Sequence, residues 1–448
     1  MKKIRILSLL LCLVLVVLHV CMLSACQKPK AHTNNEAASY FYGYSLYNRC
    51  LVRYDFNAAG QPLAAVFVDW YTLQPLEILS KPTYDRRYEY DHEGRLVGHE
   101  VHGASLTLEY DEAGNPVRGI GFSNNAEMVM VEYTCTEQGR ILSERVICQS
   151  LDSVHPRAAV PVVYTYDEKG RLIGENSYAY HYGENSITFE FMDEETPRSV
   201  EITLTETGDI CSLACPDSEE HRYDWVYDDQ GRCISSKGRV LSIIWTTVGE
   251  CQTTRNESGQ LIEAKIDRFS VLPGRSITDY RYCFVYDETG AIRQTVVSSY
   301  EGDSPLFLRE TRDFVGGTLV KYTQEDIGVK QDGQETLDRW HFTEYDKKTG
   351  KNLRSIYYLG KDELQTELIQ QYDKKNRWQG SFAKSYMNGQ LFMETTVEYE
   401  YGKKGDIVSM TAETIYVRHN FRRLVVCEYT DGLLTHNETT EERIEDAS

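Results

Sequence analysis

The stretch Val162–Gly174 reads Val-Val-Tyr-Thr-Tyr-Asp-Glu-Lys-Gly-Arg-Leu-Ile-Gly, and degraded copies of it recur through most of the chain. Asp-x-x-Gly is the signature of a type I turn: Asp at the first position caps nearby backbone N–H groups, and Gly suits the fourth. With Gly170 in the left-handed region the turn closes as a three-residue hairpin loop with a G1 bulge. This predicts pairing of Asp167 with Arg171, Tyr166 with Leu172 and Thr165 with Ile173. Side chains alternate along a strand, so Tyr164, Tyr166 and Leu172 share one face. Asp167 and Arg171 meet on the other face as a charge pair, an arrangement that contributes roughly 0.2–1 kcal/mol.

The phrase returns as Tyr90-Asp91 with Gly94, Tyr110-Asp111 with Gly114, Tyr227-Asp228 with Gly231, and Tyr286-Asp287 with Gly290. Tyr345-Asp346 with Gly350 has one extra turn residue, and Tyr372-Asp373 has Asn376 at the left-handed position. Phe56-Asn57 with Gly60 is a variant, and weaker copies keep only a turn glycine at Gly139, Gly208, Gly259, Gly317, Gly405 and Gly432. The turns recur every 20 to 38 residues or so, on the order of 30 on average, within the range of repeat architectures.

Taken together, the copies resemble the YD-repeat (RHS-repeat) family, from about Tyr42 to Glu438. The resemblance implies an all-β fold, with antiparallel hairpin repeats forming a spiral or open barrel. It also implies a role in enclosing a cargo or in displaying surfaces for adhesion and carbohydrate binding. The alternative architecture is a β-propeller, in which two hairpins make a four-stranded blade. Between the uniform turns run return connections of variable length, such as Ser385–Leu391 with Asn388-Gly389. Variable loops on a regular scaffold are where recognition sits.

Residues 1–25 read as a lipoprotein signal peptide. Lys2, Lys3 and Arg5 precede the largely apolar run Ile6–Val20, and Leu23-Ser24-Ala25-Cys26 resembles a lipobox with Cys26 as the lipidated residue. This predicts an extracytoplasmic protein anchored to the membrane. Residues 26–40 read as a flexible polar tether, 41–438 as the repeat array, and 439–448 as an acidic, frayed tail.

The formal net charge of −20 disfavours nucleic acid and anionic headgroups as partners. Tyrosine is abundant, 32 residues against 14 phenylalanines, which suits half-exposed sheet faces. Outside the membrane the cysteines are able to form disulfides. Cys211 and Cys215 are the closest pair, read as a local disulfide or two buried thiols ahead of half a metal site.

No cofactor or metal is expected. His99 and His102 lie three apart on a strand and point to opposite faces. Asp193-Glu194-Glu195 reads as a solvated loop run. Asp228-Asp229-Gln230-Gly231 supplies too few oxygens for calcium. No nucleophile elbow or phosphate loop is present. Asp91, Asp111, Asp167, Asp228, Asp287, Asp346 and Asp373 each open a turn, where backbone N–H groups stabilise the charged carboxylate.

The expected function is therefore a non-catalytic surface lipoprotein that binds a glycan or protein ligand. Trp70-Tyr71, Tyr357-Tyr358 and the pair Tyr178 and Tyr180 are the aromatic candidates for a glycan; such rings stack on sugars or pack in the sheet, and packing is the commoner role. The alternatives are an envelope assembly or maintenance component and, further off, a carbohydrate-active enzyme.

Overall fold

The computed structural model describes residues 37–444 apart from 38, 46–49, 80–85, 102–103, 123–127, 137–140, 150–156, 159–161, 168–171, 176–177, 192–197, 216–217, 242–245, 271–277, 302–305, 330–334, 375–376, 404–406 and 431–432. Cys26, the signal segment, most of the tether, Gly139, Gly170, Gly405, Gly432, Asn376, His102 and the run Asp193-Glu194-Glu195 lie outside the described residues.

Within them, the only helical elements are two short 3-10 turns, Leu76–Ile78 and Val417–His419; the other regular elements are β-strands. The first six strands form one sheet in sequential order: β1 (Ser39–Ser45), β2 (Cys50–Phe56), β3 (Pro62–Val68), β4 (Arg86–Tyr90), β5 (Leu96–Val101) and β6 (Ala104–Ser105). From Thr107–Tyr110 to Leu433–Arg443 the strands form a second, continuous antiparallel strip, almost all pairing with their neighbours in sequence. Among the described residues the one side branch is Arg157–Ala158, which shares the partner strand Ile141–Gln149 with Val162–Tyr166. Among the described residues no ladder joins Leu433–Arg443 back to Thr107–Tyr110. The fold is all-β, an open strip of hairpin repeats, and the propeller alternative is set aside because the ladder runs on where separate blades would interrupt it.

The turns follow from local chemistry. At Asp91 the Oδ1 accepts the N–H of Glu93 and of Arg95, each at 2.9 Å, and the Gly94 N–H donates to the Asp91 carbonyl at 3.0 Å. Gly94 sits at φ +79°, which an L side chain resists. Gly114, Gly231, Gly290 and Gly350 also have positive φ. The longer turn at Asp346 closes from Gly350 N to Asp346 O at 2.8 Å. The Arg after the turn pairs with the turn Asp at Asp91–Arg95, Asp228–Arg232 and Asp373–Arg377, at 2.7, 2.6 and 2.7 Å.

The register departs from the sequence reading in one respect. Tyr166 pairs with Leu172, but Thr165 pairs with Gly174, so Ile173 is skipped. The same skip falls on Val97, Val117, Ile234, Leu353 and Val408 in other units. These residues are exposed aliphatics. A second bulge just past the turn raises the local right-handed twist, and repetition of it coils the strip.

The repeat tyrosine also ties each hairpin to the one before. Tyr227 Oη donates to the Ile210 carbonyl at 2.5 Å, Tyr286 Oη to Leu261 at 2.8 Å, and Tyr372 Oη to Asn352 at 3.0 Å. Each acceptor is at or next to the first residue of the preceding return strand. Phenylalanine would fill the same space without the donor, which accounts for the excess of tyrosine. Along the turn edge, Gln61 Nε2 donates to the Gly94 carbonyl at 2.8 Å and Gln260 Nε2 to Gly290 at 3.0 Å. Successive turns are thus bonded side by side.

The small sheet fills the hollow of the strip. Tyr42, Leu51, Phe56 and Val68 pack on Ile187, Phe189, Val200, Ile202, Leu213 and Trp225. Tyr88, Leu96 and Val101 pack on Val129, Val131 and Ile141. The segment from Asp69 to Leu79 continues this filling against Cys251, Ile266, Tyr282 and Phe284. Trp225 Nε1 donates to the Trp70 carbonyl at 3.0 Å, Ser236 Oγ to Tyr71 O at 2.8 Å and Thr295 Oγ1 to Ile78 O at 2.6 Å. Beyond Thr295 the strands Glu363–Tyr372 to Ile407–Tyr416 are half-buried along most of their length.

Two boundaries move. The array begins at Ser39, and its last strand runs to Arg443, into the segment expected to fray. There Arg443 pairs with Phe421, and Arg422 meets Glu442 at 2.8 Å, so the acidic residues are held opposite arginines. Cys135, Cys211, Cys233, Cys251, Cys283 and Cys427 are free thiols. Cys211 is thus not half of a local disulfide, and burial pushes the Cys233 thiol up to about 11.

Candidate functional site

The turn aspartates line one edge of the strip with their carboxylates engaged. The Arg232 side chain and N–H hold Asp228 below its usual range. The Asn115 N–H does so for Asp111, the Thr289 hydroxyl for Asp287 and the Thr349 hydroxyl for Asp346. At Asp91 the desolvation that raises its pKa is outweighed by bonds from Arg95. A carboxylate working as general acid or base near neutrality needs the opposite shift.

Sequence reasoning missed a charge cluster between the two sheets. Arg86 on β4 lies 3.8 Å from Glu144 and 3.9 Å from Glu175, and its Nη1 donates to Tyr164 Oη at 2.8 Å. Tyr54 and Tyr180 each donate to Glu175 Oε2 at 3.2 Å. The Glu144 side chain is fully buried and its Oε1 has no hydrogen-bond partner. Burial pushes the Glu144 carboxyl up, against the pull of Arg86. A perturbed buried acid is a common mark of an active site. Here it is sealed between sheets and joins β2 and β4 to strip strands, so its arrangement suits holding the small sheet in place. Periodicity gave no hint of it, because the partners lie in separate repeats.

His99 is buried, stacked on Tyr88 with centroids 4.5 Å apart, and its Nδ1 lies 2.5 Å from Tyr133 Oη. Among the described residues no group of three or more His, Cys, Asp or Glu converges to hold a metal.

Most of the aromatic candidates are used in packing. Trp70 stacks on Tyr223 at 4.5 Å, and Tyr71 packs edge-on to the same ring. Tyr180 is buried against Phe189, and Tyr178 opens the strand Tyr178–Tyr182. Tyr357 and Tyr358 differ. They point to opposite faces of one strand, Tyr357 stacking on His341 at 4.0 Å and Tyr358 on Trp340 at 4.4 Å with the rings within 1° of parallel. Tyr357 remains 44% exposed.

Beside this pair, on the edge carrying the return connections, lies an open cleft of about 700 Å³ lined by Asp362, Glu363, Leu364, Tyr386, Asn388 and Gly389. Two tight returns form its walls. One holds Gly360 at φ +61°, with its N–H donating to the Asp338 carbonyl at 2.7 Å. The other is Asn388-Gly389 at φ +51° and +71°, values of a two-residue type I′ hairpin. The stack and the cleft are joined, because Tyr358 pairs in register with Leu364 and Trp340 Nε1 donates to the Lys361 carbonyl at 3.4 Å. The volume lies within the range of small-molecule sites, and the lining combines a ring and an aliphatic side chain with a few polar groups.

The class defined by this architecture is an all-β protein of antiparallel hairpin repeats wound around an N-terminal sheet. No family model matches the sequence, and no curated protein matches it. Among solved structures, the TcdB2-TccC3-Cdc42 crystal structure shares 11% identity at a TM-score of 0.27, over 90% of this chain and 24% of that one. The Photorhabdus luminescens Tc holotoxin pore shares 11% identity at a TM-score of 0.27, over 89% of this chain and 25% of that one. A porin-like protein from Bacteroides uniformis shares 12% identity at a TM-score of 0.18, over 46% of this chain and 92% of that one. The chain spans about a quarter of the length of the Tc chains it overlaps. Scores this low leave the fold to be judged from its own ladders.

Proposed function

We propose that this protein is a non-catalytic carbohydrate-binding lipoprotein of YD-repeat type, tethered to a membrane through Cys26 and binding its ligand at the return edge. The observation that carries the reading is the cleft between two tight returns with the Trp340–Tyr358 stack at its border. Tyr386 brings an aromatic residue to the lining, and Asn388, Asp362 and Glu363 bring hydrogen-bonding groups for hydroxyls. The engaged turn aspartates, on the opposite edge of the strip, support a structural role for that edge. The Tyr-Asp-x-x-Gly hairpins, with tyrosine bonding each unit to its predecessor, support the YD-repeat assignment.

A glycan array probed with the purified soluble domain tests the reading. Retention of a defined set of oligosaccharides is expected, with at least about tenfold weaker binding by Tyr386→Ala, the loss of one stacking anchor. Absence of retained glycan, or equal binding by the variant, would count against a carbohydrate site.

The tether has its own test. Cys26→Ser should shift the protein from the membrane fraction to the soluble fraction. If the variant stays membrane-bound as firmly as the parent, the lipid anchor is wrong.

A further inference from the structure

We infer that the last strand, Leu433–Arg443, is a dimer edge, on which two copies of this chain pair antiparallel with the twofold axis at Thr439.

The strand pairs on one side with Phe421–Thr430, and among the described residues no strand pairs with its other side. Every residue from Thr435 to Ile444 is exposed. One bond shows which backbone groups face outward. The Ile444 N–H donates to the Asn420 carbonyl at 2.7 Å. Antiparallel strands exchange bonds at every second residue, so Glu442, Thr440, Glu438 and His436 turn their N–H and C=O groups to Phe421–Thr430. Arg443, Glu441, Thr439, Asn437 and Thr435 turn theirs to the free edge.

Such an edge is a template for another strand, and proteins blunt it with short length, proline, a bulge or charge. The first strand of the strip, Thr107–Tyr110, has only four residues. The last has 11, no proline, and an unbroken register from Arg443 to His436. Charge is its remaining defence, and arginines of the neighbouring strand offset it. Glu442 meets Arg422 at 2.8 Å, and Glu441 meets Arg423 at 3.9 Å.

The order of residues along the edge complements itself. Outward residues must face outward residues, so the axis of a symmetric pair passes through a residue. An axis at Glu438 or Glu441 sets identical carboxylates face to face, and one at Thr440 opposes Glu442 to Glu438. An axis at Asn437 carries Glu442 and Arg443 past the end of the other strand. With the axis at Thr439, that residue meets its own copy. Glu438 then meets Thr440, Glu441 meets Asn437, Glu442 meets His436 and Arg443 meets Thr435. No like charges lie directly opposite, and a threonine pair at the centre is favourable. The pairing supplies about ten backbone hydrogen bonds. The net charge of −20 on each copy works against association at long range, so the dimer should tighten as salt screens it.

Sedimentation equilibrium of the full chain in density-matched detergent tests the edge, and a monomer–dimer equilibrium is expected. Thr439→Pro removes an N–H that points outward, so the ladder to Phe421–Thr430 keeps its bonds while the dimer loses its centre. The dissociation constant should rise at least about tenfold with the thermal melt unchanged. His436→Glu sets like charges opposite each other on both sides of the axis and should weaken the dimer about tenfold, less at high salt. Thr439→Cys reads the register, because hydrogen-bonded partners lie about 5.5 Å apart at Cα, within disulfide reach. Mild oxidation should join two copies of Thr439→Cys well above the background of the parent, and should not join Thr435→Cys. If Thr439→Pro also lowers the melt, His436→Glu and the cross-link decide. A parent that stays monomeric up to about 0.1 mM, where even weak complexes assemble, would overturn the inference. So would a dimer that both Thr439→Pro and His436→Glu leave intact, which places the contact elsewhere, or equal cross-linking at the two cysteine positions.

Discussion

Arg86→Met should destabilise the protein by about 3–5 kcal/mol, the size expected when one partner of a buried charge group is removed. The reason is what remains. Glu144 is fully buried, and with Arg86 gone its carboxylate has the Tyr164 hydroxyl at 3.3 Å but no cation to balance it. Urea unfolding followed by tryptophan fluorescence would measure the loss. Adding Glu144→Leu to Arg86→Met should recover much of it, because an apolar pair avoids the desolvation of both ions. The pH response carries an independent sign. Burial raises the Glu144 carboxyl above its unfolded value, so the folded state binds the extra proton. Its contribution is full below the unfolded value and is lost as pH rises through the folded one. Glu144→Gln should flatten that decline. A single variant Arg86→Met as stable as the parent, or an unchanged pH profile in Glu144→Gln, would show that the cluster does not hold the sheets together.

Trp225→Ala should cost about 3–5 kcal/mol as well, through a cavity and a lost bond. Trp225 is 3% exposed, lies beside Tyr223 with centroids 5.9 Å apart, and donates to the Trp70 carbonyl. The damage should be local, since hairpins in an array depend mainly on their neighbours. Hydrogen exchange should quicken in the segment from Asp69 to Leu79 and in the strands Ser218–Tyr227 and Cys233–Leu241. It should change little around Trp378 and Tyr399, which belong to a separate cluster. Uniform loss of protection along the chain would mean that the strip unfolds as one unit and that the inner segment is not its local support.

Both variants probe contacts that no repeat pattern announces. The hairpins themselves were legible. A turn sequence acts over five or six residues, so Tyr-Asp-x-x-Gly carries its own geometry, its capping bonds and its buried face wherever it occurs. Even there the register was only partly readable. The turn fixes the Tyr166–Leu172 pair, but the skip at Ile173, whose repetition from unit to unit coils the strip, is not written in the turn residues. The return-edge cleft was half legible: Asn388-Gly389 and Tyr357-Tyr358 stand out locally, while their neighbourhood with Asp362 and Tyr386 depends on strand pairing.

What the sequence determined alone is the all-β class, the hairpin unit and the engagement of the turn aspartates, because each rests on short-range backbone chemistry. What only the tertiary structure decided is how the strip is filled. The first six strands and the segment after Val68 occupy its hollow, packing the half-buried Trp70 and Tyr71 against the core and burying Arg86 with Glu144. Those contacts join residues far apart in sequence, such as Trp70 with Trp225 and Ile78 with Thr295. Their partners are chosen by how the layers pack on one another, and no local pattern encodes that packing.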